Sequence, residues 1–176
     1  NAMLLARGLV SPKEYFLLVY SDILIRDNIF SHTLQTFNLS KAPVATICLP
    51  SSSQFFGNVY LGEEMQITRI IEKPQKTKMG NYVLAGVFVL PGSFLDLLEE
   101  KGGSMEDALG RLIEKEGLQA SIWDKEWIDI GFPWDILTAN QMVMNAWEEA
   151  VIARSVKFRG AVRVEGAVHI QENVVV

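Results

Sequence analysis

The sequence holds a single cysteine, Cys48, so no disulfide can form within the chain, and that usage suits a reducing compartment. Histidine is almost as scarce. His32 and His169 stand far apart, and with one cysteine they give no zinc-ligand spacing. No apolar run approaches the roughly 20 residues that a membrane-spanning helix needs, and no signal peptide is visible. Positive charge is in deficit: 16 Lys and Arg against 21 Asp and Glu give a formal net charge of −5. Without a basic stripe, phosphate attraction cannot drive nucleic-acid binding. These absences predict a cytoplasmic protein with no membrane and no nucleic-acid partner. A phosphate-bearing ligand then requires cations gathered locally, or a metal.

What is present is a globular composition, 49% hydrophobic and 21% charged, over 176 residues. That length carries one domain with a core, or one domain and a small appendage. Asn1 and Ala2, ahead of Met3, read as an appended scar and stay outside the fold reasoning. Met3 to Val10 reads as the end of a helix. "YFLLVY" (15–20) is a short buried strand closed by Ser21-Asp22. "NIFSHTLQTFNL" (28–39) has helical spacing, with Asp27 as its N-cap. "PVATICLP" (43–50) is a second buried strand, and the three together form a βαβ pattern with a partly parallel sheet. "FFGNVYLG" and "QITRIIEK" read as strands joined by a polar turn at Glu63-Glu64. "YVLAGVFVL" (82–90) is another buried strand. "GSFLDLLEE" (92–100) and "SMEDALGRLIEKE" (104–116) are amphipathic helices, the second capped by Ser104. "LQASIW" and "WIDI" are strands, and 133–154 is a long helix with Pro133 in its first turn.

The tail has a different period. Val156, Val162, Val168 and Val174 recur every six residues, as do Phe158, Val164, Ile170 and Val176, with Gly160 and Gly166 in phase. This is the pattern of a hexapeptide repeat. A β-hairpin also satisfies a period of six, but phased glycines favour the repeat. A single coil cannot bury its own faces, so neighbouring coils or chains are expected.

Few residues could carry chemistry. Asp22 ends a strand, and the carboxyl ends of strands are where open α/β sheets bind ligands. It reads either as a Mg²⁺ ligand or, on position alone more readily, as a turn residue. Asp129 lies among Trp127, Ile128 and Ile130, and a carboxylate in such company needs a cation unless it serves the turn before Gly131. Glu72 and Lys73 stand at a strand end before Pro74; Lys73 suits a phosphate, and an exposed loop entrance is the plainer reading. Gly57 and Gly86 interrupt strands, which marks a bulge or a close approach of backbone to ligand. Trp127 and Trp134 read as core, and the acidic pairs as solvated faces.

In order, "FLLVYSD", "FGNVYL", "ITRIIEKP", "NYVLAGVFVLP" and "WIDIGFPWDILTAN" resemble the sugar-1-phosphate nucleotidylyltransferases, the family of glucose-1-phosphate thymidylyltransferase and N-acetylglucosamine-1-phosphate uridylyltransferase. The likeness runs from about Tyr15 to the end, and rests on the ordered set rather than one motif. It implies an α/β fold: part of a Rossmann-like nucleotidyltransferase with a mixed sheet and helices (3–154), then the first coil of a left-handed parallel β-helix (155–176). It implies transfer of a nucleotidyl group from dTTP or UTP to a sugar 1-phosphate, releasing pyrophosphate, and a homo-oligomer. The resemblance makes Asp22 and Asp129 the Mg²⁺ ligands and Lys73 the holder of the sugar phosphate. It sets Glu72 against sugar hydroxyls and Gly57 against the sugar. Leu84 falls where the thymidylyltransferases are apolar, whereas "GFPWDILTAN" is closer to archaeal two-domain enzymes, so the nucleotide stays open. Two departures stand out. Ser104 replaces a family Glu, and nothing before Tyr15 resembles the Gly-rich triphosphate loop. The chain is therefore expected to be N-terminally truncated and inactive alone. A non-catalytic paralogue that binds sugar nucleotides or assembles complexes is the competing expectation.

Overall fold

The computed structural model describes residues 2–49, 57–72, 82–145, 150–164, 166 and 168–176. They fall into two compact units, Asn1–Trp127 and Ile128–Val176. Among the described residues, no helix is long and apolar enough to cross a membrane.

The first unit is organised by its longest strand. In chain order it contains β1 (Tyr15–Val19), β2 (Ile23–Ile25), α1 (Ile29–Ser40), β3 (Val44–Cys48), β4 (Gly57–Leu61), β5 (Ile67–Glu72), β6 (Tyr82–Pro91), α2 (Phe94–Glu100), α3 (Met105–Glu116) and β7 (Gln119–Trp123). The sheet runs β5-β4-β6-β3-β7, with β1 also on β6. β3 lies along one edge of β6, and β1 and β4 divide the other, β1 taking Val87–Pro91 and β4 taking Tyr82–Val83. β3 pairs antiparallel with β6 and parallel with β7, so the sheet is mixed.

Alternation along β6 feeds two cores. Phe88 and Leu90 join Phe94, Leu98, Leu109 and Leu112 from α2 and α3 on one face. Val83, Ala85 and Val87 join Ile29 of α1, Cys48 and Trp123 on the other. Helices thus cover both faces, as a nearly continuous apolar β6 demands. A polar seam docks α1: the Thr33 and Thr46 hydroxyls bond at 2.6 Å, Thr36 and Ser121 at 2.9 Å, and a His32 ring nitrogen meets the Ile122 carbonyl at 2.8 Å.

Several expectations shift at their ends. The cap of α1 is Asn28, whose side chain accepts from the Ser31 amide at 3.0 Å. Asp27 instead faces Lys125 at 3.4 Å. Met3 to Val10 is no α-helix end: a 3-10 turn spans Ala2–Ala6, and Arg7 binds Asp96 and Glu99 of α2. The short strand β2 was hidden in the connection after Asp22. Ser104 caps α3 as expected, its hydroxyl accepting from the Asp107 amide at 3.3 Å.

The strand β8 (Trp127–Asp129) runs into the second unit, which contains α4 (Asp135–Met144), β9 (Val151–Ile152) and β10 (His169–Ile170). The expected helix over 133–154 is too long at both ends. Pro133 lies before α4, and Val151 and Ile152 pair in parallel with His169 and Ile170. β-branched residues with strand partners leave the helix readily. A second parallel bridge joins Lys157 to Val175, and the Asn173 amide donates to Ser155 Oγ, 18 residues back in sequence. Gly160 and Gly166 both sit at positive φ, 86° and 75°, a conformation that favours glycine.

Candidate functional site

β1 and β4 approach each other along the same edge of β6, and between them lie Leu84, Ala85 and Gly86. Three of the predicted residues come to this interval. Gly57 pairs with Glu72 across β4 and β5, and Asn58 pairs with Val83, which sets Gly57 beside Leu84. Glu72, Gly57 and Leu84 therefore form one row over three adjacent strands. Leu84 is half-buried and packs on the core beneath α2 and α3.

Asp22 reaches the same interval from the other side. β1 runs antiparallel to β6, so its carboxyl end points toward Leu84. The last contact is the Tyr20 amide donating to the Gly86 carbonyl at 2.8 Å, after which the chain turns through Ser21 and Asp22. Gly86 is what allows this. It has φ +78°, and a β-carbon there would stand 3.1 Å from Tyr20 and 3.2 Å from Ile23. The register of β3 against β6 shifts opposite this point, between Ala45 and Ile47. The interior glycine thus marks a bulge and a close approach of the chain's own turn. Asp22 is exposed and makes no ion pair with another described residue. Such a carboxylate is chemically open to a hard cation.

Asp129 belongs to the second unit, two residues beyond Trp127. It is half-buried, and its Oδ2 would stand 3.6 Å from a β-carbon at Gly131. A side chain at that position would lie in ordinary contact with the carboxylate. Beyond it Phe132 and Trp134 stack at 4.7 Å, and the Phe132 amide donates to Asp135 at 2.7 Å, closing the turn into α4. Trp134 is largely exposed rather than core. Lys73 follows Glu72 and lies outside the described residues, as does the side chain of Glu72.

Sequence reasoning missed two neighbours. Trp127, read only as core, donates its indole N–H to the Ala85 carbonyl at 2.9 Å, inside the interval itself. Asn58, beside Gly57, is fully buried. A buried Asn in an apolar strand was the available signal, since such a group stays inside only with polar company.

A mixed sheet with helices on both faces, and acidic and glycine positions gathered where strand ends meet, is the arrangement in which open α/β folds bind ligands. The chain belongs to the sugar-1-phosphate nucleotidyltransferases: the Nucleotidyl transferase family model matches residues 1–146. It is 31% identical to the "Bifunctional protein GlmU" of Methanococcus maripaludis (strain C7), with all of this chain covering 42% of that protein. It is 30% identical to "Probable mannose-1-phosphate guanylyltransferase 1" of Oryza sativa subsp. japonica, over 92% of this chain and 44% of that one. In fold it is similar to the UTP-bound UGPase of Acinetobacter baumannii, with a TM-score of 0.72, 22% identity, 81% of this chain and 55% of that one. The chain thus spans less than half the length of these curated relatives.

Proposed function

We propose that this chain carries the sugar-phosphate side of an enzyme that transfers a nucleotidyl group from UTP or dTTP to a sugar 1-phosphate. The observation that carries the reading is the convergence of Gly57, Glu72 and the Asp22 turn on Leu84–Gly86. Family membership supports the reaction class. In that reaction a phosphate oxygen of the sugar 1-phosphate bonds to the α-phosphorus of the triphosphate, and the bond from that phosphorus to the pyrophosphate oxygen breaks. Rate comes mainly from positioning and charge neutralisation.

The roles follow from side-chain chemistry. Gly57 offers bare backbone, so a sugar ring can lie close. Glu72 accepts from sugar hydroxyls, and Leu84 limits the row with an apolar surface. Lys73 supplies a compact positive charge to the sugar phosphate. Asp22 and Asp129 would hold Mg²⁺, which favours one or two carboxylates and leaves its other positions to phosphate and water. When bound, that ion would neutralise charge developing on the phosphates. An exposed carboxylate at Asp22 and a half-buried one at Asp129 are of the chemical type this donor set needs. The triphosphate itself needs a backbone-lined loop, and the residues from Met3 to Glu14 do not resemble one.

The parallel pairings of Val151 with His169 and of Lys157 with Val175, each 18 residues apart, support reading the tail as a coil of a left-handed β-helix, since three six-residue repeats complete one circuit.

Pyrophosphate release tests the reading. The chain is extended at its N-terminus with the triphosphate-loop segment of a matched relative and assayed with Mg²⁺, glucose 1-phosphate or N-acetylglucosamine 1-phosphate, and UTP, dTTP or GTP. Turnover is expected with UTP or dTTP, and Asp129→Asn should lower it by about a hundredfold or more. Unchanged turnover in Asp129→Asn sinks the metal role. Turnover by the unextended chain would mean that the triphosphate is held without such a loop.

A further inference from the structure

We propose that Arg26, Asp27, Lys125 and Glu126 are positioning residues: their two ion pairs clasp the chain behind Asp22 and fix where that carboxylate meets a divalent cation. The inference rests on the reading of Asp22 as a Mg²⁺ ligand and deepens it.

In front, the Asp22 turn is tied to the sheet, where the Tyr20 amide donates to the Gly86 carbonyl at 2.8 Å. Behind it, Ile23 and Ile25 pack on the core around Val83 and Ala85. Two charged residues then meet the loop that follows β7. The Arg26 guanidinium lies 2.9 Å from Glu126 Oε2, and Lys125 Nζ lies 3.4 Å from Asp27 Oδ1. The loop that receives them is itself held. Trp123 Nε1 donates to the Glu126 carbonyl at 3.4 Å, and the Lys125 ammonium stands 5.6 Å from the centre of the Trp123 ring. The Trp127 indole N–H reaches the Ala85 carbonyl, next to Gly86. Both ends of the Asp22 turn are thus fastened, directly or through this loop, to one stretch of β6.

The polarity of the pairs makes the clasp selective. An exposed ion pair contributes little by itself, and all four side chains are about half exposed. Here, however, residue 26 meets 126 and 27 meets 125, so the segments run antiparallel with alternating sign. A slip by one residue sets Arg26 against Lys125 or Asp27 against Glu126, like charges face to face. The observed register is therefore favoured by attraction in place and by repulsion one step away. β2 has need of this. Its Ile23, Leu24 and Ile25 are all partly buried, so no alternation of apolar and polar residues sets its register. One residue of slip carries Asp22 about 3.3 Å along the strand, more than the length of a Mg²⁺–oxygen bond of about 2.1 Å.

Manganese(II), added alone to the ¹⁵N-labelled 176-residue chain, is the probe. The readout is paramagnetic broadening of the Ser21, Asp22 and Ile23 amide signals against Mn²⁺ concentration. Broadening there is expected, and Asp22→Asn should abolish it. Lys125→Glu should raise the Mn²⁺ concentration for half-maximal broadening about two- to fivefold. Charge alone predicts the opposite, since a glutamate in place of a lysine draws cations in. Asp27→Lys combined with Lys125→Glu restores an opposite pair at unchanged net charge and should return the original curve. If Lys125→Glu fails to fold, the other pair serves in the same way, through Arg26→Glu alone and then with Glu126→Arg. A Lys125→Glu curve that is unchanged or moved to lower Mn²⁺ overturns the clasp and leaves Asp22 as a ligand. So does a double variant no better than Lys125→Glu. Broadening that is absent, or that Asp22→Asn leaves intact, overturns the metal reading of Asp22 and the clasp with it.

Discussion

Cys48 ends β3 with its thiol packed among Val83, Ala85, Val87 and Trp123. Burial pushes that thiol up to about 12, from an ordinary value of 9.0. Folding therefore keeps Cys48 neutral where the unfolded chain ionises it. The folded value is the raised one, so its contribution is whole below pH 9 and is lost as pH climbs toward 12. Within that window the loss is at most about 1.4 kcal/mol per pH unit. Melting temperature followed from pH 8 to pH 11 should fall more steeply in the native sequence than in Cys48→Ala. Parallel slopes would remove Cys48 from the account. The same burial makes the thiol a poor nucleophile, so iodoacetamide should label it only on unfolding.

At the scale of elements, the docking of α1 depends on hydroxyls with one proton each. Thr33 donates to the Ile29 carbonyl at 2.8 Å, so the proton in its contact with Thr46 comes from Thr46. Thr33→Val then leaves the buried Thr46 hydroxyl without an acceptor, a loss of about 1–3 kcal/mol in urea unfolding. Thr46→Val leaves Thr33 its bond to Ile29 and should cost less, about 1 kcal/mol or under. The double variant should be milder than Thr33→Val, and the opposite ranking would reverse the donor assignment. Ser104→Ala removes the cap of α3 and should cost about 1 kcal/mol by the same measurement. These local features were legible, because caps and periodicity are written within a few residues. The strands carrying Gly57, Glu72, Leu84 and Asp22 were legible for the same reason. Their meeting at Leu84–Gly86 was not, since register between strands far apart in sequence leaves no local trace. The move of the α1 cap from Asp27 to Asn28 shows the limit at one residue. Both side chains can cap, and the choice goes with the attraction of Asp27 to Lys125, nearly a hundred positions away.

At the scale of the whole molecule, the two units bury apolar surface very unequally. The first closes two cores around β6, with Val83, Ala85, Val87, Phe88 and Leu90 almost fully buried. In the second, Val151, Ile152, Phe158, Val162, Val164, Val174, Val175 and Val176 all remain exposed, and its β9–β10 pairing is only two residues long. A unit that buries so little apolar surface gains little stability from burial. The opening free energies should therefore separate rather than coincide. Native-state hydrogen exchange read by mass spectrometry tests this directly. Peptides across 83–90 should keep their deuterium uptake low for hours, while those across 151–176 should exchange within minutes. Partial urea should unfold the second group while the first stays protected. If both sets instead exchange together at one rate and respond to urea with one slope, the chain unfolds as a single cooperative body, and the second unit is held by contacts stronger than its exposed valines suggest.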